Sequence, residues 1–238
     1  MDEYKIKKKL SDNYGRLVLL VEDKDKKSFI CKILTNDKNS KKELKNLIRF
    51  SQEKYSHLNI IKYRKHFMVD QKDIDLLINN SNIDNGNNSN CNKSINSNNS
   101  TNSNNNDGSN IDTINDSNKR ICIVTDYYNY NDLSKVYFND TYRNNCLSTR
   151  DFLPIFLRVL IVLAEFEKLD CFHRDIKPEN IFIQKVYIDG DKKNIKENNV
   201  YYDFFIGDFG AFKEISTVCS YTNAIGTNSF IAPVIKLF

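Results

Sequence analysis

The chain has 238 residues, with 35 basic and 31 acidic side chains, a net charge of +4 and 40% hydrophobic content. This is enough apolar material for one large domain or two lobes, and the charge, balanced and concentrated on no one face, argues against a nucleic-acid partner. Six scattered cysteines without a C-x-x-C pair, three histidines, a charged N-terminus and a longest apolar run of only Val159 to Ala164 argue against a zinc site, a disulfide framework, a signal peptide and a membrane span, and fit a reducing intracellular compartment, cytoplasm or nucleus.

Tyr4 to Leu10 and Arg16 to Val21 read as strands flanking a turn, Ser11-Asp12-Asn13-Tyr14-Gly15, with Lys5, Lys7, Lys8 and Lys9 on a solvated face. Ser28 to Leu34 is an apolar strand interrupted by Lys32, a charge that needs a partner in such a setting. Ser40 to Tyr55 has helical spacing at Leu44, Leu47, Ile48 and Phe50; Ser40 as N-cap with Glu43 three residues on is a capping-box pattern. From 79 to 118 the sequence is Asn/Ser with almost no large apolar residue. Such a segment cannot offset its ordering entropy and is expected to be a disordered insert, a neutral expansion. A long loop costs a folded domain little, about 0.6 kcal/mol for each doubling of its length. Arg120 to Asp126 resumes a strand pattern. Thr149 to Leu169 is a long amphipathic helix carrying Phe152, Phe156, Val159, Leu160, Leu163 and Phe166, with Pro154 near its start. Ile181 to Ile183 reads as a short strand, and a polar insert from about Tyr187 to Tyr202 precedes Phe205-Ile206-Gly207-Asp208.

The residues that carry chemistry are His173-Arg174-Asp175-Ile176-Lys177-Pro178-Glu179-Asn180, followed by Asp208-Phe209-Gly210. A carboxylate at Asp175 suits a role beside an attacking hydroxyl. Oxygen ligands at Asn180 and Asp208 suit a hard divalent cation, and Lys177 would neutralise charge on a transferring phosphate. With its His-Arg-Asp, its Lys two residues on and its Asn five residues on, this stretch resembles the catalytic loop of the eukaryotic protein kinase superfamily, and Lys177 resembles the Ser/Thr-specific branch. Asn180-Ile181-Phe182 and Gly207 before Asp208 resemble both NIMA-related kinases and kinases of translation initiation factor 2α.

The resemblance implies an α+β, protein-kinase-like fold. Residues 1–128 would form an antiparallel-sheet N-lobe and hinge, and 129–238 part of a helical C-lobe that ends just after the activation segment. It also implies Mg-ATP-dependent phosphoryl transfer to Ser/Thr of a protein substrate, with ATP and Mg as cofactors. Asp175, Lys177, Lys32 and Glu43 take the catalytic roles, with Glu43 as the partner of Lys32 and Glu53 as its rival. Gly15, Leu17, Ile30, Lys32, Thr125, Asp126, Tyr128, Asp132 and Phe182 would bind the nucleotide: Leu17 and Ile30 as the adenine roof, Phe182 as its floor, Thr125 as gatekeeper, Asp126 and Tyr128 through their backbone, Asp132 near the ribose. Asn180 and Asp208 would hold the metal, and His57 is read as structural. Ser216, Thr217, Ser220 and Thr222 are candidate phosphorylation sites in the activation segment, with Arg174 as their partner. Two departures from the pattern support an alternative, a pseudokinase or regulatory module: Leu10 and Asp12 stand where two of three loop glycines are expected, and Val234 stands where a Glu is expected.

Overall fold

The computed structural model describes residues 3–13, 15–80, 119–138, 147–187 and 200–214. The chain divides into two compact units, Met1–Lys41 with Tyr63–Tyr127, and Lys42–Lys62 with Tyr128–Phe238.

The first unit is built on a five-stranded antiparallel sheet. Its strands are β1 (Lys5–Asn13), β2 (Arg16–Glu22), β3 (Ser28–Leu34), β4 (Tyr63–Asp70) and β5 (Lys119–Asp126), in the order β1-β2-β3-β5-β4. Strand alternation sorts the side chains into two faces. Leu17, Leu19, Val21, Phe29, Cys31, Ile33, Cys122 and Val124 line one face and form a buried cluster with Val69 of β4 and Ile74 of helix α2 (Gln71–Asn80). Each such side chain fully withdrawn from water contributes about 1.5–3 kcal/mol. Helix α2 is an element not expected from the sequence, and its last two residues fall inside the Asn/Ser insert expected from 79. Ile74, Leu76 and Ile78 were the available signal. Residues 81–118 lie outside the described residues.

Helix α1 (Lys38–Phe50) starts two residues earlier than Ser40. Its N-cap is Asp37, whose Oδ1 accepts the Ser40 backbone N–H at 2.8 Å. Burial raises the affinity of the Asp37 carboxyl for its proton, yet bonds from Thr35, Ser40 and Asn39 hold the group below the usual carboxylate range. Ser40 is therefore a residue of the first turn, and the expected capping box does not form.

In the second unit, α3 (Leu133–Phe138) and α4 (Thr149–Lys168) precede short strand β6 (Cys171–Phe172). The hairpin β7 (Ile181–Tyr187) and β8 (Val200–Ile206) follows, and then β9 (Lys213–Glu214), which pairs with β6. A capping box starts α4: Ser148 Oγ accepts from Asp151 N, and Asp151 Oδ2 accepts from Ser148 N at 3.1 Å. The helix buries Ile155, Val159, Val162 and Phe166. Phe156 and Leu160, expected on that apolar stripe, are 49% and 45% exposed. The β7–β8 ladder runs unbroken from Ile181↔Ile206 to Tyr187↔Val200. It therefore absorbs both ends of the polar insert expected from Tyr187 to Tyr202, and residues 188–199 lie outside the described residues.

Candidate active site

The catalytic-loop residues come together in the second unit. After β6 the chain turns sharply, with Arg174 at φ 66°, and a 3₁₀ turn over Pro178–Asn180 brings Asn180 back beside Asp175. Asn180 Nδ2 donates to the Asp175 backbone carbonyl at 2.7 Å and to Asp175 Oδ2 at 3.0 Å. Lys177 Nζ lies 3.0 Å from the same Oδ2. A carboxylate held by a cation and an amide is fixed in orientation. Because Nδ2 of Asn180 points at Asp175, its amide oxygen is the atom left to act as an oxygen donor.

Asp208 reaches the same neighbourhood through the backbone. Gly207 N donates to Asn180 O at 2.9 Å, and the following Asp208 sits at φ 62°, a left-handed conformation costly for a residue with a Cβ. Its Oδ1 accepts from Gly210 N at 3.4 Å, which opens the 3₁₀ turn Phe209–Ala211. A Cβ at Gly207 would come within 2.8 Å of Phe182 Cε2 and 3.0 Å of Ile61 Cδ1, so only glycine fits there without displacing a ring. Asn180 and Asp208 supply an amide oxygen and a carboxylate, the donor chemistry that suits Mg²⁺.

His173 fixes this loop from beneath. It is 2% exposed; Nε2–H donates to Gly207 O at 3.1 Å, and Nδ1 accepts from Asp175 N at 3.4 Å. Burial pushes its pKa down to about 4, against the opposing pull of the Gly207 carbonyl, Asp208 and Asp175. The ring is neutral in the folded chain and takes a proton near pH 6.5 when unfolded. Between those values the unfolded chain binds more protons, so stability present above pH 6.5 is lost as pH falls toward 4, by about 3 kcal/mol for a shift of this size. Burial lowers His66 in the first unit as well, with the same sign. In thermal unfolding between pH 7 and 4.5, His173→Gln is expected to show a flatter pH dependence than the unsubstituted chain. Parallel profiles would contradict the assignment.

Arg174 donates from Nε to Ala211 O at 2.7 Å, tying the loop to the residues after Asp208. Lys42 of α1 is held below its usual pKa by burial and then by the cations Arg174 and Lys213. The candidate phosphorylation sites Ser216, Thr217, Ser220 and Thr222, and also Val234, lie outside the described residues.

The nucleotide-binding candidates fall on both units. Cross-strand partners share a face, and the β2–β3 register pairs Val18 with Lys32, Leu20 with Ile30 and Leu17 with Ile33. Leu17 therefore points into the buried cluster. The residues that share the face of Lys32 include Val18, Leu20, Ile30, Ile123 and Thr125. The pairing of Leu17 with Ile30 as one surface is corrected: Val18 stands where Leu17 was expected. Counting from Gly15 missed it, and the alternation Leu17, Leu19, Val21 was the available signal. Thr125 is 7% exposed, and the Asp126 carboxylate is bound by both Nε and NH2 of Arg64, at 2.5 and 2.7 Å. Asp12, which would repel a phosphate, has Lys9 Nζ at 3.6 Å.

In the second unit Tyr128 stacks on Phe205 with centroids 4.3 Å apart, and its hydroxyl accepts from Lys62 N at 3.1 Å. Phe182 is partly buried and lies 6.2 Å from the Tyr128 ring. Asp132 is 8% exposed, and its oxygens are occupied in capping α3: Oδ1 accepts from Ser134 Oγ at 2.7 Å and Lys135 N at 3.0 Å, Oδ2 from Lys135 Nζ at 2.7 Å. Burial works against its ionised form, but these bonds prevail and hold it below the usual range. The structure gives Asp132 the role of a helix cap. On α1 Glu43 is 2% exposed, whereas Glu53 is exposed in a separate 3₁₀ turn, so Glu43 is the acid that the fold buries.

Among the described residues no helix is long and apolar enough to cross a membrane. The protein kinase domain family matches residues 77–235, more than half of the chain. Gly15, Lys32 and Glu43 precede the matched range. Three probable serine/threonine-protein kinases of Dictyostelium discoideum are similar to it. One is 28% identical over 98% of this chain, a second 29% identical over all of it, and a third 38% identical over 48% of it. The chain spans only 13%, 14% and 6% of their respective lengths. With a loop holding Asp175, Lys177 and Asn180 together beside Asp208, and with this match across both the loop and the residues after it, the chain belongs to the protein kinase domain family.

Proposed function

We propose that this chain is the catalytic part of a serine/threonine protein kinase that transfers the terminal phosphoryl group of Mg-ATP to a Ser or Thr hydroxyl of a protein substrate. The observation that carries the reading is the convergence of Lys177 Nζ and Asn180 Nδ2 on one oxygen of Asp175, each at 3.0 Å. This leaves an oriented carboxylate to accept the hydroxyl proton, with a cation beside it for the transferring phosphate. Asn180 and Asp208 are the residues that would hold magnesium, which would supply neutralisation of phosphate charge. Lys32 supplies the cation for the inner phosphates, and Glu43 a balancing carboxylate on α1. Val18, Ile30, Thr125 and the backbone of Asp126 serve the adenine from the first unit, and the backbone of Tyr128 and the ring of Phe182 are the candidates that the second unit contributes. Gly15 serves the turn over the phosphates.

Calorimetric titration of Mg-ATP tests the assignment. Lys32→Met is expected to weaken binding by removing the phosphate cation, and Asp208→Asn by removing a charged metal ligand. In the absence of magnesium the Asp208→Asn effect should largely vanish. Unchanged Mg-ATP affinity in both variants would overturn the assignment.

A further inference from the structure

Arg120 is the second residue of β5, far in sequence from the β1–β2 turn, yet its guanidinium joins three elements of the first unit. NH2 donates to the carbonyl of Gly15, Nε to the carbonyl of Leu34 at the end of β3 at 3.0 Å, and NH1 to Gln71 Oε1 at the start of α2 at 3.2 Å. A planar guanidinium with donors at fixed angles holds three acceptors in a defined arrangement, which the single swivelling ammonium of lysine does not. Both carbonyls lie at the ends of strand pairing.

The turn that Arg120 holds is short and constrained. Asn13 pairs with Arg16, and Gly15 between them adopts φ +80°, a conformation that side chains disfavour. Residues 10–12 belong to β1, with Asp12 paired to Leu17, so the earlier positions where glycines were expected are strand. The orientation of the Gly15 peptide is therefore set by two contacts of different kinds: the β1–β2 ladder before and after it, and the Arg120 bond to its carbonyl. A carbonyl anchored on one side leaves the adjoining peptide N–H groups with a fixed direction, which a backbone phosphate site requires.

We propose that Arg120 is a positioning residue for phosphate binding, holding the Gly15 turn in the orientation that receives the phosphates of the nucleotide. The proposal rests on the reading of the chain as an ATP-dependent kinase. A purely structural Arg120 would affect every ligand of the sheet alike, whereas a positioning Arg120 affects only ligands that carry phosphates.

The test is calorimetry on the full-length protein with two probes, Mg-ATP and adenosine, for the unsubstituted protein, Arg120→Ala, Arg120→Lys and Gln71→Ala. Arg120→Ala is expected to weaken Mg-ATP about tenfold, the size of one net charge-assisted hydrogen bond, with adenosine unchanged. Arg120→Lys should recover part of the loss, and Gln71→Ala, which leaves the Gly15 contact in place, should lose little. Arg120→Lys also carries the test if the alanine variant fails to fold. Equal losses for adenosine and Mg-ATP would show a structural role and overturn the proposal, as would Mg-ATP binding unchanged in both Arg120 variants. If the unsubstituted protein binds adenosine but not Mg-ATP, or neither, the kinase reading itself fails and the proposal falls with it.

Discussion

Replacing Asp175 by Asn is expected to lower phosphoryl transfer by ~10²–10⁴-fold, the usual contribution of a positioned general base, while Mg-ATP affinity stays close to that of the unsubstituted protein. The separation follows from the geometry. Asp175 is bound to Lys177 and Asn180 within its own loop, and is not itself among the residues assigned to the nucleotide and metal. An amide at position 175 can still accept a bond from Asn180 or Lys177, so the loop should keep its shape, but it cannot take the hydroxyl proton. Rapid-quench measurement of transfer to a generic Ser/Thr protein substrate, beside a nucleotide titration, reads both quantities. A loss of transfer accompanied by an equal loss of affinity would mean that Asp175 acts on the nucleotide site. Unimpaired transfer would remove it from the chemistry.

The largest stability effect is expected at Phe166. Its ring is 1% exposed and lies 5.2 Å from Phe50, 6.2 Å from Phe209, 5.4 Å from Phe212 and 6.4 Å from His173, centroid to centroid. Phe209 is 0% exposed and makes its own contacts with Phe50 and Phe212, at 5.4 and 5.7 Å. One connected group of rings thus joins the end of α1, α4 and the segment that begins at Asp208. Truncating a ring in such a cluster leaves a cavity that its neighbours, each fixed by the others, cannot refill. Phe→Ala at buried positions costs about 3–5 kcal/mol, a large part of the ~5–15 kcal/mol that holds a domain folded. Phe166→Ala is therefore expected to shift the urea midpoint far down and to loosen the residues around Asp208, so that transfer falls although Phe166 is not itself assigned to the chemistry. Phe166→Leu, which keeps most of the volume, should lose much less. A midpoint for Phe166→Ala within the range of ordinary surface substitutions would show that the cluster relaxes.

The catalytic loop was legible in the sequence because its geometry is local. Asp175, Lys177 and Asn180 lie within six residues, Pro178 starts a 3₁₀ turn there, and no distant segment is needed to bring the three together. The glycine before Asp208 was visible too, although the reason for it, the ring of Phe182 against its backbone, comes from the facing strand. The helix α4 was readable from its period, but which half of its apolar surface is buried was not. Period alone marks an apolar residue without saying what it packs against, and Phe156 and Leu160 are exposed while Ile155 and Val162 are covered.

Tertiary structure decided most of the rest through contacts distant in sequence, and the cap of α1 was decided by its near neighbours. The register between β2 and β3 determined that Val18 rather than Leu17 shares a face with Lys32, because a shift of one residue turns every side chain of a strand to the other side. Burial distinguishes Glu43 from its rival Glu53, since the fold covers the first and leaves the second exposed. Asp37 displaced Ser40 as the cap of α1, since the hydroxyl of Thr35 and the backbone of Ser40 both reach its carboxylate. The grip of Arg120 on Gly15 spans 105 positions. By itself the sequence determined that the loop residues meet, through short spacings. The sheet decided which side chains stand beside Lys32 and how the Gly15 turn is held, because strand pairing joins residues that the chain keeps far apart.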